Sequence, residues 1–163
     1  MDEIEIRPFI ATDIDGVFSV ILRIQSDEFD LGITADHQPD LAVIPDFYQS
    51  GHGQFWVAVH DGVVVGTLGL KDIGNGQAAL RKMFVAAEVR GRERGVAARL
   101  LAALICHAEE HGIKEIFLGT TDKFLAAHRF YEKSGFVQIK RDDLPRTFPI
   151  ILVDSKFYRQ RLA

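Results

Sequence analysis

One cysteine, one tryptophan and two methionines are all that 163 residues contain of these types. With Cys106 alone, no internal disulfide can staple the chain. A lone thiol suits a reducing compartment and points to the cytoplasm. No apolar run approaches the roughly 20 residues that a membrane-crossing helix needs, so no membrane partner is expected. The opening Met1-Asp2-Glu3-Ile4-Glu5 lacks the basic residues of a secretory signal or transit peptide. A basic excess is missing too: 23 Asp and Glu against 19 Lys and Arg give a formal charge of −4, and general nucleic-acid binding is not expected. There is no internal repeat, low-complexity tract or linker.

What is present is a 47% apolar composition, enough for a sizeable core, and a length that fits one domain over residues 1–163. The charge is unevenly placed. Residues 1–50 hold eleven acids against Arg7 and Arg23, a balance of −9, and the remainder carries +5. Such a chain can offer an acidic surface to one ligand and a basic surface to another. Charge spread only for solubility would give the same counts.

The elements alternate in type. Ile4 and Ile6 with Pro8-Phe9 suggest a short edge strand. Thr12 reads as an N-cap, and Ile14, Phe18, Ile21 and Leu22 continue a helix to about Phe29. Pro39 opens a shorter helix through about Tyr48. Gln54–His60, Val63–Leu70 and Ala78–Val85 read as a meander, with Asp61-Gly62 and Gly74-Asn75-Gly76 as its turns. Val96, Ala97, Leu100, Leu101, Leu104, Ile105 and Ala108 form a wide apolar stripe on a helix that Gly112 stops. Then come a buried strand over Glu115–Thr120, a helix capped by Asp122 and running to Ser134, and strands over Phe136–Ile139 and Ile150–Tyr158. This order predicts an α/β fold: a mixed, largely antiparallel sheet of about seven strands flanked by about four helices.

The segment Val89-Arg90-Gly91-Arg92-Glu93-Arg94-Gly95-Val96-Ala97 joins a strand to the strongest helix. No Ser, Thr, Asp or Asn stands just before that helix to satisfy its free N–H groups. Arg90, Arg92 and Arg94 instead crowd the positive end of the helix dipole, which is unfavourable unless an anion sits there. Gly91 and Gly95 let the backbone turn and approach a ligand closely. Free N–H groups, dipole and arginines together describe a phosphate site. The bland alternative is an exposed loop whose arginines are solvated or paired to Glu88 and Glu93. A P-loop fails, because no Gly-Lys-Ser/Thr follows. A dinucleotide loop fits poorly, because Gly91-Arg92-Glu93 lacks the second glycine.

At Arg92-Glu93-Arg94-Gly95-Val96-Ala97 the sequence resembles the GNAT superfamily of acetyl-CoA-dependent N-acetyltransferases, which carries Arg/Gln-x-x-Gly-x-Gly/Ala between a strand and its main helix. The resemblance runs from Leu80-Arg81-Lys82-Met83-Phe84-Val85 to Tyr131-Glu132-Lys133-Ser134-Gly135-Phe136, and includes an opening like Ile6-Arg7-Pro8. It implies acetyl-CoA as cosubstrate, held by the backbone around Arg92–Ala97 at its pyrophosphate. Main-chain atoms of Met83, Phe84 and Val85 would bind its pantetheine arm, and two strands would splay to admit the thioester. Phe124, Ala127, His128 and Tyr131 share one helical face. The resemblance implies that Phe124 and Ala127 flank the coenzyme arm and that Tyr131 protonates the departing thiolate, as a phenol can. A core tyrosine packed on Phe124 is the alternative.

Two departures stand out. Phe124 replaces the Asn that many family members use on the coenzyme arm. The Ala78–Val85 strand also lacks the family's frequent catalytic Glu; its charged residues are Arg81 and Lys82. Glu28, His52, Asp72 or an ordered water are left as candidate bases. No metal is expected: His107 and His111 stand four apart, but Ala108 occupies the Glu position of a zinc-protease motif. They read as helix surface, Cys106 as packing, and His128 as either a packed or exposed residue or a coenzyme contact. The acceptor expected is a primary amine of a small molecule or peptide, cationic because of the −9 balance. The alternative is a non-catalytic acyl-CoA-binding module. A homodimer is left open.

Overall fold

The computed structural model describes residues 3–28, 34–91, 94–151 and 154–162. Among them, seven strands form one open sheet. β1 (Ile4–Pro8), β2 (Gln54–His60), β3 (Val63–Gly74) and β4 (Gln77–Val85) follow one another as antiparallel neighbours. β5 (Glu115–Thr120) joins β4 in parallel, and β7 (Lys156–Arg161) then inserts between β5 and β6 (Val137–Ile139). The helices are α1 (Ile14–Arg23), α2 (Pro39–Ala42), α3 (Ile44–Phe47), α4 (Val96–Glu110) and α5 (Leu125–Lys133). The expected mixed, largely antiparallel sheet is therefore present.

Helices α1 and α4 both pack on β3. The stripe of α4 buries Val96, Leu100, Leu101, Leu104 and Ala108 in the main core, with Leu68, Leu70, Phe55 and Val57 of the sheet. A smaller cluster of Ile73, Ala79, Phe117, Phe148 and Phe157 forms apart from it, its strand residues Ala79 and Phe117 alternating with Ala78, Leu80, Ile116 and Leu118 of the main core.

Several boundaries move for identifiable reasons. Thr12 lies inside a short 3-10 turn instead of capping α1. The Asp13 carboxylate ties that turn down, accepting the Ile10 N–H at 2.9 Å and two bonds from Arg7. Regular α1 ends at Arg23 and continues as a π turn over Ile24–Glu28, and Phe29 lies outside the described residues. The wider turn buries both Ile24 and Gln25. The single helix expected from Pro39 to Tyr48 is two, because Pro45 has no N–H to give and Val43 leaves the helical region. Strand β7 begins only at Lys156. Asp154 bonds back to Ile151 through both its N–H and its carboxylate, which takes it out of the ladder.

Two features of β4 position everything that follows. It pairs with β5 only at Gln77, Ala78 and Ala79, after which the two strands part. Further along, the register with β3 jumps between Thr67 and Gly69, where Lys82 adopts φ +59°. This is a β-bulge with a left-handed residue, and it bends the strand.

Candidate active site

Beyond the bulge, the outer end of β4 forms one wall of a groove of about 800 Å³. Met83, Phe84 and Val85 line this wall, Phe124, Ala126, Ala127, Phe130 and Tyr131 line the opposite one, and Gly95, Val96, Ala97 and Ala98 form the end. The α4 start is as open as its sequence suggests. Gly95 is the N-cap at φ +59°, and no side chain caps the helix. The Gly95 carbonyl receives the Arg99 N–H, so the N–H groups of Val96, Ala97 and Ala98 precede the first intrahelical bond. Among the described residues these three N–H groups have no partner, and at the positive end of a 15-residue helix, facing a groove, they make a site for a phosphate group.

A second, inner cavity of about 90 Å³ opens where β4 and β5 part. Leu80, Arg81 and Lys82 line it from β4, Gly119 and Thr120 from β5, and Phe148, Pro149, Ile151 and Asp154 from the segment before β7. Five residues line both spaces: Met83, Phe84, Phe124, Ala127 and Tyr131. Tyr131 thus stands at their junction, 5% exposed, among the rings of Phe130, Phe136 and Tyr158. Burial pushes its phenol well above the ordinary range, so the hydroxyl keeps its proton.

The floor of the inner cavity carries paired charges. Arg81 donates to the Tyr48 hydroxyl at 3.2 Å and to the Pro149 carbonyl at 3.2 Å, and lies 3.9 Å from Asp40. The Tyr48 hydroxyl donates in turn to Asp40 at 2.5 Å. Lys82 donates to Gln38 at 2.8 Å, and burial pulls its ammonium down to about 8. Gln38 and Gln25 exchange amide bonds at 2.8 and 3.2 Å, tying the π turn to the bulge.

Residues 19–136 match the family described as the acetyltransferase (GNAT) family. The chain belongs to that family. Its fold superposes on an acetyltransferase of the GNAT family from Staphylococcus aureus Mu50 with a TM-score of 0.94 and 40% identity, covering 98% of this chain and 99% of that one. A mouse relative, probable N-acetyltransferase family 8 member 5, is 36% identical over 104 residues, 61% of this chain and 45% of that protein. The chain thus spans less than half the length of that relative. PaiA N-acetyltransferase from Thermoplasma acidophilum, solved in complex with coenzyme A, shares the fold at a TM-score of 0.75 and 18% identity, over 98% of this chain and 99% of that one.

Within this member of the GNAT family, Met83, Phe84, Val85, Arg90, Gly95, Val96, Ala97, Phe124, Ala127 and Tyr131 all line the groove. Arg94 is exposed and outside the lining; Arg92 lies outside the described residues. Arg90 is held by two partners. Its Nε donates to the Val85 carbonyl at 2.8 Å, and its terminal nitrogens meet Glu28 at 2.6 and 3.0 Å. Glu28, a candidate base, is therefore already paired at the groove edge. His52 and Asp72 line neither space: the Asp72 carboxylate accepts the N–H groups of His52 and Gly74 at the far end of β3.

Three side chains, Asp122, Cys106 and His107, stand differently from expectation, and His128 takes the packed position that was one of the readings open for it. Asp122 does not cap α5. Phe124 is the N-cap, its carbonyl taking the His128 N–H, so Asp122 comes two residues early. His128 turns inward, its Nε2 donating to the Thr121 carbonyl at 2.8 Å, and lines neither space. Cys106 is exposed and donates to Glu110, so it is not a packing residue. His107 is half-buried instead of fully on the surface, its ring edge-on to Trp56 and 2.9 Å from the His52 carbonyl. Among the described residues no group of three His, Cys, Asp or Glu could hold a metal. The sequence reading missed Asp154. The signal available was an acid near the end of the chain, in a segment wrongly expected to be strand.

Proposed function

We propose that this chain transfers an acetyl group from acetyl-CoA to a primary amine of a small molecule or peptide, by direct attack of the amine. The observation that carries this reading is continuity. One groove runs from the open N-terminus of α4 to Tyr131, and a second cavity begins at the same tyrosine. Acetyl-CoA supplies the thioester and the pyrophosphate that such a groove can take. The donor set fits: backbone N–H groups of Val96, Ala97 and Ala98 for phosphate, with arginines nearby. Strand β4 has no β5 partner beyond Ala79, so its free edge at Met83–Val85 can pair with an extended arm. Tyr131 holds the proton that a departing thiolate needs.

The acceptor enters as an ammonium, which gives it the cationic character expected from the acidic first 50 residues. In the inner cavity, however, Gln25 is the one lining residue from that segment among the described residues. The local carboxylate there is Asp154. We place the reaction in the cytoplasm on the strength of the single cysteine, and a homodimer is compatible with it.

The test is a thermal melt with acetyl-CoA, followed by release of free thiol across polyamines, aminoglycosides, amino acids and peptide N-termini. At about 100 times its dissociation constant, acetyl-CoA adds roughly 2.7 kcal/mol of stability. An unchanged melting temperature removes the cosubstrate assignment. Stabilisation without thiol release from any amine supports the acyl-CoA-binding module that β4, lacking a carboxylate, would suit.

A further inference from the structure

We infer that Asp154 is the base that takes the proton from the acceptor ammonium, in the cavity it shares with Tyr131. This rests on the acetyl-transfer reading above. Asp154 is the one carboxylate lining that cavity among the described residues, and no histidine lines it. Its carboxyl lies against β5 where position 119 is glycine. A Cβ there would fall 2.6 Å from Asp154 Oδ2 and 2.8 Å from Cγ, so the acid is seated only because Gly119 has no side chain. The Ile151 N–H donates to Oδ2 at 3.2 Å and fixes the group's orientation.

The rival base is Lys82, but its Nζ donates to Gln38 at 2.8 Å and lies 4.0 Å from Asp40, both of which favour the protonated ammonium. Arg81 cannot lose its proton and is held by Tyr48 and Pro149. The charges facing Asp154 are Arg81 and Lys82 from β4 and Arg141 from the turn after β6, and each pulls its carboxyl down. Burial outweighs them and lifts it above the ordinary carboxylate value, which makes it a stronger base.

The step balances. The ammonium gives one proton to the Asp154 carboxylate, which becomes the acid. The freed lone pair forms the C–N bond at the thioester carbon. As the C–S bond breaks, the sulfur takes the Tyr131 proton. The second proton shed by the nitrogen restores the phenol, and Asp154 passes its proton to solvent.

The experiment measures kcat/KM against pH for wild type, Asp154→Asn, Gly119→Ala and Lys82→Met, using an amine found active in the thiol-release screen. Acetyl-CoA affinity and melting temperature are measured alongside. Asp154→Asn should lower kcat/KM by roughly 100-fold or more at neutral pH. It should erase the acidic limb of the profile that belongs to the carboxyl, with coenzyme affinity kept. Gly119→Ala, which displaces the carboxyl without removing it, should lower the rate in the same direction and serves if Asp154→Asn does not fold. The acidic limb should survive in Lys82→Met. An Asp154→Asn enzyme with the wild-type rate and limb overturns the assignment, as does loss of the limb in Lys82→Met. Wild-type protein that acetylates no amine overturns the acetyl-transfer reading, and this one with it.

Discussion

The Thr67 hydroxyl donates a 2.7 Å hydrogen bond to the carbonyl of Lys82. Thr67 is fully buried on β3, and Lys82 is the left-handed residue that bends β4. A left-handed conformation costs a non-glycine residue about 1–2 kcal/mol, and the buried hydroxyl offsets it by satisfying the carbonyl that the bulge removes from the ladder. The bend sets the direction of Met83–Val85, the groove wall. Thr67→Val keeps the shape and removes the donor. It should destabilise the fold by about 1–3 kcal/mol, the cost of an unsatisfied buried acceptor. It should also weaken acetyl-CoA binding. A denaturant melt and a calorimetric titration read the two effects; unchanged values in both would mean that the bulge holds without this bond.

Gly95 turns the chain into α4 at φ +59° and ψ 30°. Gly95→Val places a branched side chain in a conformation that costs it roughly 1–2 kcal/mol, and puts that side chain beside the open N–H groups. Acetyl-CoA affinity should fall by more than the fold loses. Equal affinity in a folded Gly95→Val protein would show that the loop backbone does not approach the ligand closely.

Arg7 and Asp13 make a two-point contact at 2.7 and 2.9 Å, with the Asp13 side chain 8% exposed. The bond from Arg7 holds the Asp13 carboxyl below its ordinary value of 3.8. A depressed carboxyl stabilises the fold fully above its unfolded value, and that contribution disappears as pH falls through the folded value. Asp13→Asn should therefore cost about 1–3 kcal/mol at pH 7. The gap to wild type should hold down to about pH 5 and narrow progressively as pH falls below 3.8 towards the lower folded value. Melting curves across that range check it; a gap that does not narrow at all as pH falls below 3.8 would assign the loss to packing.

Much of this arrangement was legible in the sequence, because the relevant signals are local. The α4 stripe, its uncapped start at Gly95 and the β2–β3–β4 meander depend on neighbours within a few residues. What was hidden depends on contacts between distant segments. Nothing in the local sequence marks Gln25 and Gln38, which the π turn and α2 bring together beside Lys82. Asp154 reads as part of a strand until its carboxylate caps the Ile151 N–H and lies over Gly119. Arg90 reads as a phosphate contact, or as solvated or paired to Glu88 or Glu93, yet its partner is Glu28, 62 residues earlier. Pairings of that kind have no periodicity to reveal them.

Tyr131 gives the sharpest test of the reaction. Its ring is fixed by Phe136 at 5.7 Å and Phe130 at 5.9 Å between centroids, so Tyr131→Phe keeps the packing and removes only the hydroxyl. Burial holds that hydroxyl protonated far above neutral pH, which suits a donor and not a base. General acid catalysis contributes roughly 10²–10⁴-fold. The acetyl-transfer rate should therefore fall at least about tenfold even where another step shares control. Acetyl-CoA affinity and melting temperature should stay near wild type, because phosphate recognition lies at α4. Product release can mask the loss in steady-state turnover, so single-turnover transfer is the measurement to make. A Tyr131→Phe protein that transfers acetyl at the wild-type rate in one turnover would leave the phenol a core residue. The thiolate would then have to draw its proton from water admitted between β4 and β5.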